Sequence, residues 1–291
     1  MNIIVRSLDD AGLYSSLSPN SSHEPKIFCV LADLLWYYFL FHGKNMIRQH
    51  LKMVDSTQLH ARGLATTLPP DRWIIVTADE QTAGRGTHNR QWLSPPNSNL
   101  YVTFVIPFPR SESEKLFYTS QVAAIATART LTALGFQPEV KWPNDVTIAG
   151  KKVGGILCEN MTPDTSLPYS ALLIGIGLNV TMDKATCDSL DQPVTSLTVE
   201  ASQSFDKEEI LQALFRELRH CIDQLLNSGF SPFQKELNSM LAFKEEKVCI
   251  ETDGKLIHGT VRGIDDMRRL QLESRDTILL LANGRLRKVV E

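Results

Sequence analysis

Residues 171–180 read ALLIGIGLNV, and residues 151–159 read KKVGGILCE. Each is an apolar run bounded by turn signals, the pattern of a buried strand. Gly175 and Gly177 interrupt the first strand, and Gly154 and Gly155 interrupt the second. Glycine inside a strand often marks close approach by a ligand or another backbone. For residues 174–179 the plainer alternative is close packing of a helix on the sheet. Lys152 leads its strand and is a candidate anion clamp, or else a solvated charge at a strand end. Asn179 closes the other strand.

Further strands lie on both sides of this pair. Short strands over 139–142 and 146–148 flank Pro143, and Gly150 marks a turn. Residues 73–79 (WIIVTAD) and 100–106 (LYVTFVI) are also buried strands. Residues 50–54 form a short strand, after which Asp55 or Ser56 caps a helix over 58–64. A long helix is expected over 116–134, with Ser111 and Glu114 at capping-box spacing and Gly135 as its stop. A second covers 206–226, with Asp206 and Glu209 as capping pair and Gly229 at its exit. Ser231-Pro232 opens a third. After Phe243 come short strands at 248–250, 256–264, 270–272, 277–281 and 286–290, the signature of a small all-β barrel. Three regions follow: an N-terminal extension (1–45), a catalytic domain (46–242) and a small C-terminal barrel (243–291).

Two further segments carry chemistry. Residues 81–92 read QTAGRGTHNRQW, in a stretch to residue 99 that is rich in Gly, Pro, Asn and Ser. Loops this long are often functional. Glycines let backbone N–H groups approach an anion, and arginine adds bidentate contacts. The segment is either a cationic loop that closes on a phosphorylated ligand or a mobile surface loop. It is not a Walker loop, because no G-K-[ST] precedes a helix. Residues 141–145 read KWPND. Pro143 holds Trp142 extended, and Asn144 and Asp145 either bind a polar ligand or simply close a turn.

Composition narrows the function classes. The 291 residues carry a net charge of -3, so no basic footprint points to nucleic acid. Five cysteines lack C-x-x-C spacing, and seven histidines lack H-x-x-x-H spacing. A disulfide framework and a structural zinc site are therefore disfavoured, and a reducing compartment fits. The apolar run at 27–41 (IFCVLADLLWYYFLF) is shorter than a bilayer span. It reads as an appended helix in preference to a membrane anchor, and Met46 is an alternative start.

In order along the chain, Asp55-Ser56-Thr57, the GRG-centred loop, KWPND, the Lys152–Leu157 strand and G-x-G-x-N resemble the biotin–protein ligase family. The resemblance covers residues 48–291. It implies an α+β fold with a mixed sheet flanked by helices, related to class II aminoacyl-tRNA synthetases, and a C-terminal SH3-like β-barrel. It also implies a two-step reaction. Biotin and ATP give biotinyl-5'-AMP, and biotin then passes to a lysine of a carboxylase carrier domain. By the same resemblance Lys152 and Arg85 are catalytic. Ser56, Thr57, Gln81, Gly84, Arg85, Gly86, Lys152, Gly155, Gly175 and Gly177 bind biotin. Arg90, Trp92, Trp142, Asn144, Lys152 and Asn179 serve the nucleotide. Mg2+ is expected with ATP, and Asp145 is the candidate ligand. The 81–92 loop is expected to order over the ligand and exclude water from the labile adenylate.

Two positions depart from the family pattern. Many relatives place a second basic residue directly after G-R-G, where it helps retain the adenylate; Thr87 stands there, so Arg90 or His88 substitutes or the grip is looser. Gln58 stands where Asn is frequent, on a first helical turn, with a small effect expected. Residues 1–45 show no helix-turn-helix, so a ligase without a repressor role is expected, in the cytoplasm, without nucleic-acid or membrane partners. Family members pair through the edge of their sheet, which makes a homodimer an expectation of the resemblance alone. The rival readings are a lipoate–protein ligase, which would depend on lipoate, and a non-catalytic biotin sensor, which would lack a working lysine or basic loop.

Overall fold

The computed structural model describes residues 46–275 and 277–288. The N-terminal apolar run and the alternative start therefore lie outside the described residues, apart from Met46 itself.

Among the described residues seven strands form the main sheet: β1 (Met46–Val54), β2 (Trp73–Gln81), β3 (Leu100–Pro109), β4 (Pro138–Lys141), β5 (Asp145–Ile148), β6 (Lys151–Met161) and β7 (Tyr169–Leu178). Their order is β1-β2-β3-β7-β6-β5-β4. Only β1 and β2 pair in parallel, so the sheet is mixed.

Alternation along each strand sends successive side chains to opposite faces. On one face, Val102, Phe104 and Ile106 of β3, Ile174, Ile176 and Leu178 of β7, and Ile156 of β6 join the main core. Two long helices cover it, α2 (Thr119–Ala133) and α5 (Lys207–Ser228). Leu211, Leu214, Leu218, Ile222 and Leu225 repeat at helical spacing on α5 and are all buried. The other face is covered only in part. There α1 (Thr57–Leu64) places Ala61 against Ile74, Val76, Val105 and Leu173. Because α1 has eight residues, the sheet beyond its N-terminus is left for the site.

The helix signals meet mixed outcomes. Asp206 caps α5 by accepting from the Glu208 N–H, and Gly229 ends it at φ 69°. Pro232 lies in the first turn of α6 (Ser231–Ser239). The capping box at Ser111 and Glu114 does not form. Residues Arg110–Tyr118 are a 3₁₀ segment, and α2 starts only at Thr119. Tertiary contacts hold this segment: the Arg110 N–H donates to Pro168 O at 3.0 Å, and Lys115 Nζ to Leu226 O at 2.6 Å. Two short helices, α3 (Lys184–Asp188) and α4 (Leu197–Ala201), were not expected from the sequence.

The C-terminal strands are β8 (Lys247–Thr252), β9 (Lys255–Ile264), β10 (Leu270–Ser274), β11 (Thr277–Leu281) and β12 (Arg285–Lys288). Among the described residues they form an open antiparallel sheet in the order β11-β10-β9-β8-β12, rather than a closed barrel. Its buried Val248, Ile250, Val261 and Leu272 belong to the same apolar cluster as the main core. Asn238 of α6 joins the parts, accepting from the Ile264 N–H at 2.8 Å and donating to Ile264 O at 3.0 Å.

Candidate active site

Register places the strand glycines in a patch. Tyr101, Gly177 and Gly155 lie side by side across β3, β7 and β6; Thr103, Gly175 and Leu157 form the next row. All six line one cavity of about 170 Å³. Three glycines in adjoining positions make a trough whose floor is backbone. Gly154 points to the other face.

Lys152 reaches this trough because of a bulge. In a regular strand residues 152 and 155 face opposite ways. The β5–β6 register shifts between Val146 and Thr147, so Asp145 opposes Gly155 while Thr147 opposes Lys152. The extra residue turns Lys152 onto the trough face. Its Nζ lies 2.7 Å from Asp145 Oδ1 and 5.1 Å from the centre of the Trp92 ring. Its backbone is fixed too: the Lys152 N–H donates to Pro193 O and the Thr195 N–H donates to Lys152 O, both at 2.9 Å. An ammonium held this way is positioned before any ligand arrives.

The opposite wall is the start of α1. Gln81 Oε1 accepts from the Thr57 N–H at 2.8 Å and from the Thr57 hydroxyl at 3.1 Å, and Gln81 Nε2 donates to Ser94 Oγ. Ser56 takes the capping position but makes no capping bond; its Oγ is buried without a partner and lines the cavity. A buried hydroxyl with no partner is costly unless a ligand completes it. Gln58 is a position where the sequence departs from the family pattern. It is 3% exposed, donates to Glu159 Oε2 at 3.0 Å, and sits 3.2 Å from the Thr103 hydroxyl. A Cβ at Gly175 would meet Gln58 Oε1 at 2.5 Å. Gln58 therefore sets the depth of the trough at that end.

The 81–92 loop is a hairpin across the trough. Trp92 N–H donates to Gly84 O at 2.9 Å, Gly86 N–H to Arg90 O at 2.8 Å, and Arg85 bridges to Gln91. The Trp92 ring lies on the glycines: a Cβ at Gly155 would meet its Cζ3 at 2.7 Å, and one at Gly177 would collide with its five-membered ring. Arg90 folds back on the departing residue Thr87, its Nη2 donating to Thr87 Oγ1 at 2.9 Å and its Nε to Thr87 O at 3.2 Å. Threonine at that position thus supplies an anchor for the arginine three residues on.

Most residues expected at the site meet in one cavity: Ser56, Thr57, Gln81, Arg85, Gly86, Arg90, Trp92, Asn144, Asp145, Lys152, Gly155, Gly175, Gly177 and Asn179. Two do not. Gly84 lies outside it, where a Cβ would meet Trp92 O at 2.5 Å, so its glycine serves the hairpin itself. Trp142 is 2% exposed, packs in the main core and donates from Nε1 to Arg268 O at 3.3 Å. Asn144 and Asn179 are tied to backbone, Asn144 Nδ2 donating to Ile156 O and Asn179 Nδ2 to Thr195 O. Thr103 and Tyr101 were missed; their only signal was that they alternate with the apolar residues of β3. Among the described residues no cluster of three or more His, Cys, Asp or Glu side chains is placed to hold a metal. None of their helices is long and apolar enough to cross a membrane.

A glycine-floored trough, one lysine fixed over it and an arginine-bearing hairpin across it have the form of a binding site for a ligand that carries anionic groups. Comparison makes the class specific. Residues 51–179 match the model of the biotin/lipoate A/B protein ligase family. The biotin–[acetyl-CoA-carboxylase] ligase of Paracoccus denitrificans is 32% identical over 226 residues, covering 76% of this chain and 92% of that protein. The bifunctional ligase/repressor BirA of Bacillus subtilis is 30% identical over 239 residues, covering 80% and 72%. The structure of the Aquifex aeolicus biotin protein ligase in complex with biotin and ATP superposes with a TM-score of 0.70 at 26% identity, covering 84% of this chain and all of that one. The chain belongs to the biotin/lipoate A/B protein ligase family.

Proposed function

We propose that the chain is a biotin–protein ligase, which activates biotin with ATP to biotinyl-5'-AMP and transfers biotin to a lysine of a carboxylase carrier domain. The observation that carries this reading is Lys152, held by Asp145 over a floor of Gly155, Gly175 and Gly177. Flat biotin needs a floor without side chains. The first step brings two anions together, a carboxylate and the α-phosphate, and a fixed cation between them lowers the barrier. Lys152 takes that role, and Arg85 joins it from the hairpin. Thr57, Gln81 and the unpartnered Ser56 hydroxyl bind the polar ring of biotin, with Gly86 beside them. Arg90, Asn144 and Asn179 serve the nucleotide. For a ligand to lie on Gly177 the Trp92 indole must leave the trough, so substrate loading moves the hairpin.

Mg2+ enters with ATP. Among the described residues two carboxylates line the cavity, Asp145, already paired with Lys152, and Asp191. Phosphate oxygens and water then supply most of the ligands. We place the enzyme in the cytoplasm, acting on a protein carrier, without a role for nucleic acid. Two copies paired through the sheet edge belong to the same proposal.

Isotope exchange between pyrophosphate and ATP tests the reading. Exchange that requires biotin is expected. Exchange that requires lipoate, or biotin binding without exchange, contradicts it.

A further inference from the structure

The hairpin that carries Trp92 is tied at its base to the wall of the trough. On the outgoing arm the Thr82 N–H donates to Val54 O at 2.9 Å and the Ala83 N–H to Asp55 O at 2.8 Å. The returning arm is tied through Ser94, which is 6% exposed.

The tie at Ser94 belongs to a chain of hydrogen bonds that runs one way. The Thr57 N–H can only donate, so the end of Gln81 that it meets at 2.8 Å is the amide oxygen. The other end is the amide nitrogen, which donates to Ser94 Oγ at 2.8 Å. The Ser94 hydroxyl in turn donates to Trp92 O at 3.1 Å. Gly84 faces this chain: a Cβ there would lie 2.5 Å from Trp92 O, 2.7 Å from Ser94 Oγ and 3.0 Å from Gln81 Nε2. Glycine at that position leaves the space in which the three groups meet.

Ser94 also stands where the hairpin joins fixed structure. Pro95 follows it and restricts its backbone to extended conformations. Pro95 O accepts from the hydroxyl of Tyr101, a residue of β3, at 2.9 Å. Burial pushes that hydroxyl above its ordinary range, so it keeps its proton and donates. On the hairpin side of Ser94, Leu93 is already 43% exposed. The indole one residue further lies on Gly155 and Gly177, and its Nε1 is buried without a partner. A buried N–H without an acceptor is costly, so that placement of the ring needs ties elsewhere to hold it.

We infer that Ser94 is a positioning residue for substrate entry: bonded to Gln81 and to Trp92 O, it holds the indole over the glycine floor and links release of the indole to capture of the ligand ring. The inference rests on the ligase reading above, in which Thr57 and Gln81 bind the polar ring of biotin. The Gln81 amide has two ends, one on Thr57 and one on Ser94. A ring that draws the oxygen end to itself turns the amide and weakens the bond to Ser94. The returning arm then loses its tie to the wall as the floor is cleared.

The test uses the full chain as wild type, Ser94→Ala, Ser94→Thr, Trp92→Ala and the double variant of Ser94→Ala with Trp92→Ala. Tritiated biotin is mixed rapidly with each in the absence of ATP, and the association rate constant is read. A melting temperature for each protein checks its folding. Ser94→Ala raises the rate about 5-fold, because loss of one hydrogen bond enlarges the fraction of molecules whose trough is open. Ser94→Thr keeps the hydroxyl and binds at the wild-type rate. Trp92→Ala also raises the rate, and adding Ser94→Ala to it changes nothing further, since the two act through one element. An unchanged or slower rate in Ser94→Ala overturns the inference. So does an equal effect of Ser94→Ala with and without the indole, which marks a structural role. Either of those results in a protein that binds biotin leaves the ligase reading standing; a wild type that binds no biotin removes both.

Discussion

The two faces of the main sheet are built from the same strands, yet they do different work. On β7, Ile174, Ile176 and Leu178 point into the core and are at most 2% exposed. Their neighbours Gly175 and Gly177 point into the trough. A period of two separates stability from binding residue by residue. One face gains apolar burial; the other gives up side chains to make space.

Substitutions on the two faces should therefore fail in different ways. The largest effect is expected from Gly177→Val. Its side chain fills the trough and collides with the Trp92 ring, so biotin-dependent exchange falls below detection while the melting temperature stays near wild type. Valine suits a strand, and the hairpin can move aside. Lys152→Ala comes next, with about 10²–10³ lost in the rate of adenylate formation, the usual cost of removing one preorganised cationic contact. Ile176→Ala, one residue from Gly177, should cost about 2–5 kcal/mol of stability in a denaturant titration, with site chemistry intact in the folded fraction. Unchanged stability there would erase the distinction between the faces. Gln58→Ala removes a buried partner of Glu159 and deepens the trough, and the half-saturating biotin concentration should rise about 10-fold. The smallest effect concerns Cys221 on the helical side. Burial pushes its thiol up to about 12, so it stays protonated at pH 8. Alkylation of Cys221 should appear only after unfolding.

Much of this was legible in the sequence, for local reasons. Apolar runs fixed the strands, Pro232 and Asp206 marked helix starts, and paired glycines marked the trough. What stayed hidden depends on contacts distant in the chain. The bulge that turns Lys152 toward Gly155 is a register shift between β5 and β6, and no spacing rule shows it. The Ser111 and Glu114 pattern has the right local form, but contacts to Pro168 and Leu226 hold that segment as a 3₁₀ turn. Trp142, which the family resemblance assigned to the nucleotide, packs into the core and also lines a second pocket beside the trough, together with Asn144. Gln58 was visible as a departure from the family pattern, but its contacts with Glu159, Thr103 and Gly175 were not.

The most direct test is biotin transfer to a purified carrier domain in the presence of ATP and magnesium, comparing wild type with Lys152→Ala. The wild type should label one lysine of the carrier, and the variant should label it at least 100-fold more slowly. A wild-type protein that labels nothing, or a Lys152→Ala protein that labels at the wild-type rate, would contradict the account.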